Sequence, residues 1–238
     1  MTKRTCVMLA LALALVMLPA AAQARMWVGA ELGANFVAST DVDVNQAIFG
    51  NVIFRNANIE PSVIGGVTLG YDFVREGFLG YNYPDWMKYF SFATDFTYNR
   101  FDFRGQWLST NMGMSSFPLT EGYMAVWSFL FIGKYGFFPD SEVPFGRLQP
   151  YIGVGPGIMF SGINLDTGGS KSSVDIALVT EAGLRYMALK NVSIDTAFRY
   201  RYGSPSYNFQ STGITGSVSK VSFDAHQFSA LLRVSYHF

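Results

Sequence analysis

A hydroxyl, a carboxylate and an imidazole stand two residues apart at Ser222, Asp224 and His226. Together these groups could attack an ester or amide, provided the base reaches the nucleophile and the acid orients the base. On an extended chain they share one face, but same-face neighbours lie about 6.5 to 7 Å apart, too far for a Ser–His hydrogen bond without a bend. They are weak catalytic candidates, and no His-x-Ser motif accompanies them. The other histidine, His237, is far from His226 in sequence, and the one cysteine is Cys6. No metal constellation or other cofactor is expected from so few ligands.

A second set of residues points to a buried charge network. Glu31, Asp72, Asp95, Glu181 and Asp195 are matched in number by Lys134, Arg185, Arg199, Arg201 and Arg233. An enclosed interior must balance its signs, because an unpaired buried charge is costly. The tight turn at Leu189, Lys190 and Asn191, with Ala188 facing Val192, sets Arg185 opposite Asp195 and Glu181 opposite Arg199. The same register brings Leu184 beside Thr196 and Ala182 beside Phe198 on the other face. A slip of one residue would turn the charges outward. Such a network is a structural plug or, alternatively, a path for protons or ions.

Strands position these charges. Period-2 alternation runs through Met26–Phe36, Val63–Val74, Tyr89–Tyr98, Tyr123–Tyr135, Ile152–Phe160, Glu181–Tyr186, Val192–Tyr202 and Gln227–Phe238. One parity is large and apolar; the other is glycine, serine and the charges above. A soluble sandwich would not place so much glycine on its wet face, where it weakens a strand. The lumen of an eight-stranded barrel, wide enough only for side chains, accepts small and polar residues. The expected fold is therefore all-β: a closed, antiparallel, up-and-down transmembrane β-barrel of eight strands, an even number as closure requires.

Composition agrees. Hydrophobic residues make up 50% and charged residues only 14%, against about 25% charged in typical soluble domains. After residue 24 no apolar run is long enough for a spanning helix. A formal net charge of +0 argues against a nucleic-acid partner. Lys3 and Arg4, the apolar run Val7–Leu18, and the small residues through Ala22-Gln23-Ala24 follow the order of a secretory signal peptide. Cleavage after Ala24 is expected, removing Cys6 and leaving one barrel domain, residues 25–238.

Four outer loops are expected near residues 37–61, 104–121, 161–173 and 203–222, rich in Asn, Ser, Thr and Gly. Shorter inner connections fall at Lys190, Arg75–Lys88 and Phe137–Leu148, the usual asymmetry of these barrels. Tyr83, Trp86, Tyr89, Tyr236 and Phe238 suit an inner aromatic girdle, and Tyr98, Tyr123, Tyr200 and Tyr202 an outer one. Trp107, Phe117, Phe49 and Phe54 fall in the loop segments. They mark either loop self-packing or a contact surface.

Three stretches resemble one family. Gln149-Pro150-Tyr151-Ile152-Gly153-Val154-Gly155-Pro156-Gly157 is similar to the Pro-Tyr-x-Gly-x-Gly-x-Gly strand of the small outer-membrane barrels that include opacity-type surface antigens and the OmpA-type membrane domain. Gly183-Leu184-Arg185-Tyr186 and Phe198-Arg199-Tyr200-Arg201-Tyr202 resemble its paired Gly-x-Arg-Tyr and Tyr-Arg-Tyr strands. Leu232, Val234, Tyr236 and Phe238 look like the terminal signal read by the barrel assembly machinery. Pro156 departs from the pattern, and without a ladder donor it predicts a local bulge.

The resemblance implies the outer membrane of a Gram-negative cell, with lipid and lipopolysaccharide as surroundings. It implies a non-enzymatic surface protein that presents its loops to an extracellular ligand or adhesion partner, or that supports envelope integrity. No peptidoglycan-binding domain follows Phe238, so a wall-anchoring role does not carry over. Two alternatives remain: a lipid A-modifying enzyme of the outer leaflet using Ser222, Asp224 and His226, or a narrow channel in which Gly153, Gly155 and Gly157 leave room along one wall.

Overall fold

The computed structural model describes residues 25–46, 50–74, 82–117, 120–165, 169–209 and 218–238; the expected signal peptide and Phe49 lie outside them. The alternating segments form β1 (Arg25–Val37), β4 (Ser62–Asp72), β5 (Phe90–Phe103), β8 (Thr120–Lys134), β9 (Leu148–Leu165), β10 (Gly169–Leu189), β11 (Val192–Gly203) and β14 (Ala225–His237). They close an antiparallel barrel in the order β1, β14, β11, β10, β9, β8, β5, β4. The large apolar parity faces outward on every wall, as at Leu32, Val67, Phe131, Ile176 and Phe198, with Ile176 84% exposed. An outward apolar belt on a barrel with no free strand edge is the form in which β-structure crosses lipid.

Register follows the alternation. Arg185 faces Asp195 and Glu181 faces Arg199, with Leu184 by Thr196 and Ala182 by Phe198. At the turn itself Val192 pairs with Leu189 rather than Ala188, because the ladder shifts between Met187 and Leu189. At Pro156 the expected bulge is absent. The β8–β9 ladder breaks after Ser128↔Gly157 and resumes at Phe131↔Val154 in unchanged register. The missing proline donor interrupts pairing on one side only, and β10 still pairs through Leu178↔Pro156.

The four segments expected as outer loops are largely strand. Three of them supply β2 (Thr40–Gln46), β3 (Gly50–Ala57), β6 (Gln106–Thr110), β7 (Gly113–Phe117), β12 (Ser206–Asn208) and β13 (Val218–Phe223). These make a second sheet in the order β12-β13-β2-β3-β6-β7. Each strand continues or precedes a barrel strand in the chain, so β2–β3 repeats β1–β4 and β2–β13 repeats β1–β14. The fourth segment is the far end of the β9–β10 hairpin, paired as far as Leu165↔Gly169. It touches β12 through the Ser206 amide and Ser173 Oγ, 3.4 Å apart. The barrel thus rises into a second tier at its outer end.

The tiers have opposite linings. In the outer tier Val42, Val44, Val52, Phe54, Leu108, Phe117, Tyr207, Val221 and Phe223 point inward and are buried, while Asp41, Asn45 and Ser109 are exposed. Strand β5 crosses the boundary. Its inner face reads Ser91, Ala93, Asp95, Thr97 and Asn99 and then Phe101 and Phe103; its outer face changes from Phe96 and Tyr98 to Arg100.

Candidate functional site

At the middle of the lower lumen Arg199 is fully buried between three carboxylates. Its Nη1 donates to Glu31 at 2.9 Å, Nη2 to Asp95 at 2.7 Å, and Nε to Glu181 at 2.6 Å. Arg233 bridges two of the same acids, 2.6 Å from Glu31 and 3.0 Å from Glu181. Strand geometry explains the convergence, since β1, β5, β10, β11 and β14 each turn one polar parity to a lumen too narrow to hold water columns beside long side chains. Arg185 pairs with Asp195 at 3.0 Å and lies over the Trp27 ring, 4.5 Å from its centre. Nearer the inner end, Lys134 meets Asp72 at 2.7 Å, and Ser91 donates to that carboxylate.

Arg201 stands apart. Although buried, it bonds only to neutral oxygens among the described residues: Thr97, Asn35, Asn99 and Gln227, at 2.7 to 3.2 Å. Above this amide layer comes the aromatic filling of the outer tier, where Phe103 lies edge-on to Phe101, Phe117 and Phe223 at 5.3 to 5.8 Å. Phe54 and Phe117 pack on each other at 5.0 Å, so both belong to this filling. Trp107 is the exception, 71% exposed on the β6–β7 hairpin.

Several lumen residues escaped the sequence reading. Trp27 is buried inside, opposite Gly70, where a Cβ would lie 2.0 Å from its ring. Its parity with Glu31 was the available signal. Tyr151 donates to Glu181 at 2.9 Å. His237 is buried with Nε2 3.0 Å from Ser193 Oγ. The wall at Gly153, Gly155 and Gly157 leaves little room: Ile132 and Val126 stand 3.2 and 3.1 Å from where Cβ atoms would sit on Gly153 and Gly157.

Ser222, Asp224 and His226 do share the outward face, but each is engaged separately. His226 Nδ1 lies 2.8 Å from the Tyr200 hydroxyl, and Tyr202 donates to Asp224 at 3.3 Å. Ser222 sits between Ser206 and Asp43 in the outer sheet. Of the expected assembly signal, Leu232, Val234 and Tyr236 are exposed on the lipid side, and the Phe238 amide bonds to Met26 O at 2.9 Å. Of the expected girdles, Tyr98 and Tyr123 stack at the outer end, 6.2 Å apart, and Tyr89 stacks on Tyr135 at the inner end.

No family model matches the chain, and no curated protein matches it. Among solved structures it is similar to the outer membrane protein OprG from Pseudomonas aeruginosa, with 14% identity over 92% of this chain and 98% of that one, TM-score 0.48. It is also similar to outer membrane protein AlkL, at 19% identity, 90% of each chain and TM-score 0.48. Against Neisserial surface protein A the values are 18% identity, 88% of this chain and 96% of that one, and TM-score 0.44. A protease, OmpT from Escherichia coli, aligns over 90% of this chain and 97% of its own at 12% identity, TM-score 0.46.

Proposed function

We propose that the protein is a non-enzymatic surface barrel of the outer membrane whose outer tier binds a partner beyond the membrane. The observation that carries this reading is the β6–β7 hairpin. On it Trp107, Met112 and Met114 are 71%, 61% and 66% exposed, while the hairpin's other face is pinned by buried Leu108 and Phe117. Large apolar side chains held out to water on a rigid support, clear of the lipid belt, suit a protein–protein contact. Trp is also the residue type most often found to anchor such contacts. The filled lumen favours a scaffold over a conduit, and the separate engagements of Ser222, Asp224 and His226 favour binding over catalysis.

A deletion strain complemented with wild type or with W107A/M114A tests the reading. The expected result is reduced surface adhesion in the double variant with antibiotic permeability unchanged. Normal adhesion by the double variant, with altered permeability in the deletion strain, would move the function to the envelope. Lipid A acylation in a His226→Ala strain, followed by mass spectrometry, is expected to match wild type; a changed profile would restore the enzymatic reading.

A further inference from the structure

The outer tier fills six of the eight positions of the ring below it. β3, β6 and β7 continue β4, β5 and β8, and β12, β13 and β2 continue β11, β14 and β1. Among the described residues no second-tier strand continues β9 and β10, so the outer sheet is open between β7 and β12. The β8–β9 ladder ends at Thr120↔Leu165, and β7 lies beyond that last rung. The two edges of β7 are therefore unequal. β6 pairs with one along the full strand, from Gln106↔Phe117 to Thr110↔Gly113, and no described strand pairs with the other.

The open edge at β12 is guarded. β12 begins just after Pro205 and is approached by β10 through Ser173. A proline and a covering segment are usual means of preventing further pairing, as are charges along an edge. Among the described residues β7 has neither cover nor charge: from Gln106 to Phe117 the sequence holds no charged residue and no proline, and the β6–β7 ladder carries no bulge. Antiparallel pairing alternates, so with Thr110↔Gly113 closing the two-residue turn, the backbone N–H and C=O groups of Met114 and Ser116 point to the open edge. Both residues are exposed, and Ser115 between them is half-buried on the inward parity of Phe117.

We infer that this edge is a strand-addition site, at which a partner protein lays one extended, uncharged segment antiparallel to β7. Backbone groups of the segment would bond to Met114 and Ser116, the mode in which a peptide joins an exposed sheet edge. Its side chains would divide between the two faces. Those opposite Met114 and Ser116 would join the exposed row that includes Trp107, and the one opposite Ser115 would extend the apolar filling at Phe117. A charge in the segment would find no counterpart on the β6–β7 hairpin. A second copy in the same membrane does not suit the edge. Both copies stand upright, so their β7 strands run the same way, and a two-fold axis between them sets N–H against N–H. The inference deepens the binding role of the hairpin and rests on it.

The test uses the full barrel refolded in detergent micelles and a phage-displayed library of short random peptides. Selection on wild type is expected to enrich uncharged segments with β-branched or aromatic residues in alternation. Ser116→Pro removes one edge N–H while leaving the bonds to β6 in place, and should weaken the best free peptide about tenfold, whereas Ser116→Ala should not. In wild type, peptide binding should slow hydrogen exchange at the Met114 and Ser116 amides but not at Ser115, which β6 already holds. Exchange at Ser115 without peptide reports that the hairpin of the proline variant is intact; where it is not, the wild-type exchange pattern decides alone. Absence of enriched peptides, or binding that leaves the Met114 and Ser116 amides unprotected, would overturn strand addition. If W107A/M114A still loses adhesion in that case, the binding role of the apolar row stands without it. Normal adhesion by W107A/M114A would remove both. Cross-linked pairs of barrels that Ser116→Pro abolishes would overturn the partner in favour of a second copy.

Discussion

The lower and outer tiers of this barrel are built by the same strand order with opposite solvents. Below, lipid surrounds the wall, and the interior is charged: Arg199 and Arg233 tie Glu31, Asp95 and Glu181 together. Above, water surrounds the wall, and the interior is Phe101, Phe103, Phe117, Phe223 and Tyr207. The backbone hydrogen-bond ladder is indifferent to which face is apolar, so one topology serves both. What differs is the source of cohesion. The lower tier depends on electrostatic matching in a low dielectric, where a lost partner is costly. The outer tier depends on ordinary burial of apolar area.

The contrast is tested most severely at Arg199. Arg199→Met takes the arginine from Asp95 and leaves Glu31 and Glu181 with Arg233 as their remaining one, and is expected to cost about 3–5 kcal/mol, read as a lower urea midpoint for loss of the folded gel mobility. Phe103→Ala removes the centre of the outer filling and should cost about 3 kcal/mol, but locally. Protease should then cut within β2–β3 while the folded mobility of the barrel persists. Parallel loss of both would show that the tiers unfold as one unit. Arg201→Met removes a cation bonded only to neutral oxygens, so its cost should be nearer 1–3 kcal/mol, from amides left unpaired. A penalty as large as that of Arg199→Met would erase the distinction between the charged and the amide layers.

The smallest effect belongs to the inner connection. Asp140 accepts from the backbone N–H groups of Val143 and Glu142 and from Arg147, and these hold its carboxyl below the usual range. Because the folded value is depressed, the contribution of Asp140 is present above the ordinary carboxylate value and is lost as pH falls through the lowered one. Protection of the Val143 amide, once the intrinsic pH dependence of exchange is divided out, is expected to be unchanged between pH 7 and 5 and to fall, relative to Asp140→Asn, only below about pH 4.

Much of the lower tier was legible because lipid enforces strict alternation. Even the Glu181–Arg199 and Arg185–Asp195 pairs follow from one turn and a parity rule. The outer tier was not. Val42 and Val44, Val52 and Phe54, and Val221 and Phe223 alternate just as well, but in strands of 6 to 8 residues set among Asn, Ser and Gly. Their apolar parity is also turned the opposite way from that of the strands they continue.

The seam between β1 and β14 joins strands almost the whole chain apart, and Glu31 faces Arg233 directly across it. Until that seam zips, both strands present raw amide edges that no hydrocarbon can satisfy. Closure is therefore the slowest step to reach, since it needs the most distant segments to meet. It is also self-checking. A zip offset by one residue would send Glu31 or Arg233 into the bilayer, so the two act as a key that admits a single shear and rejects its neighbours.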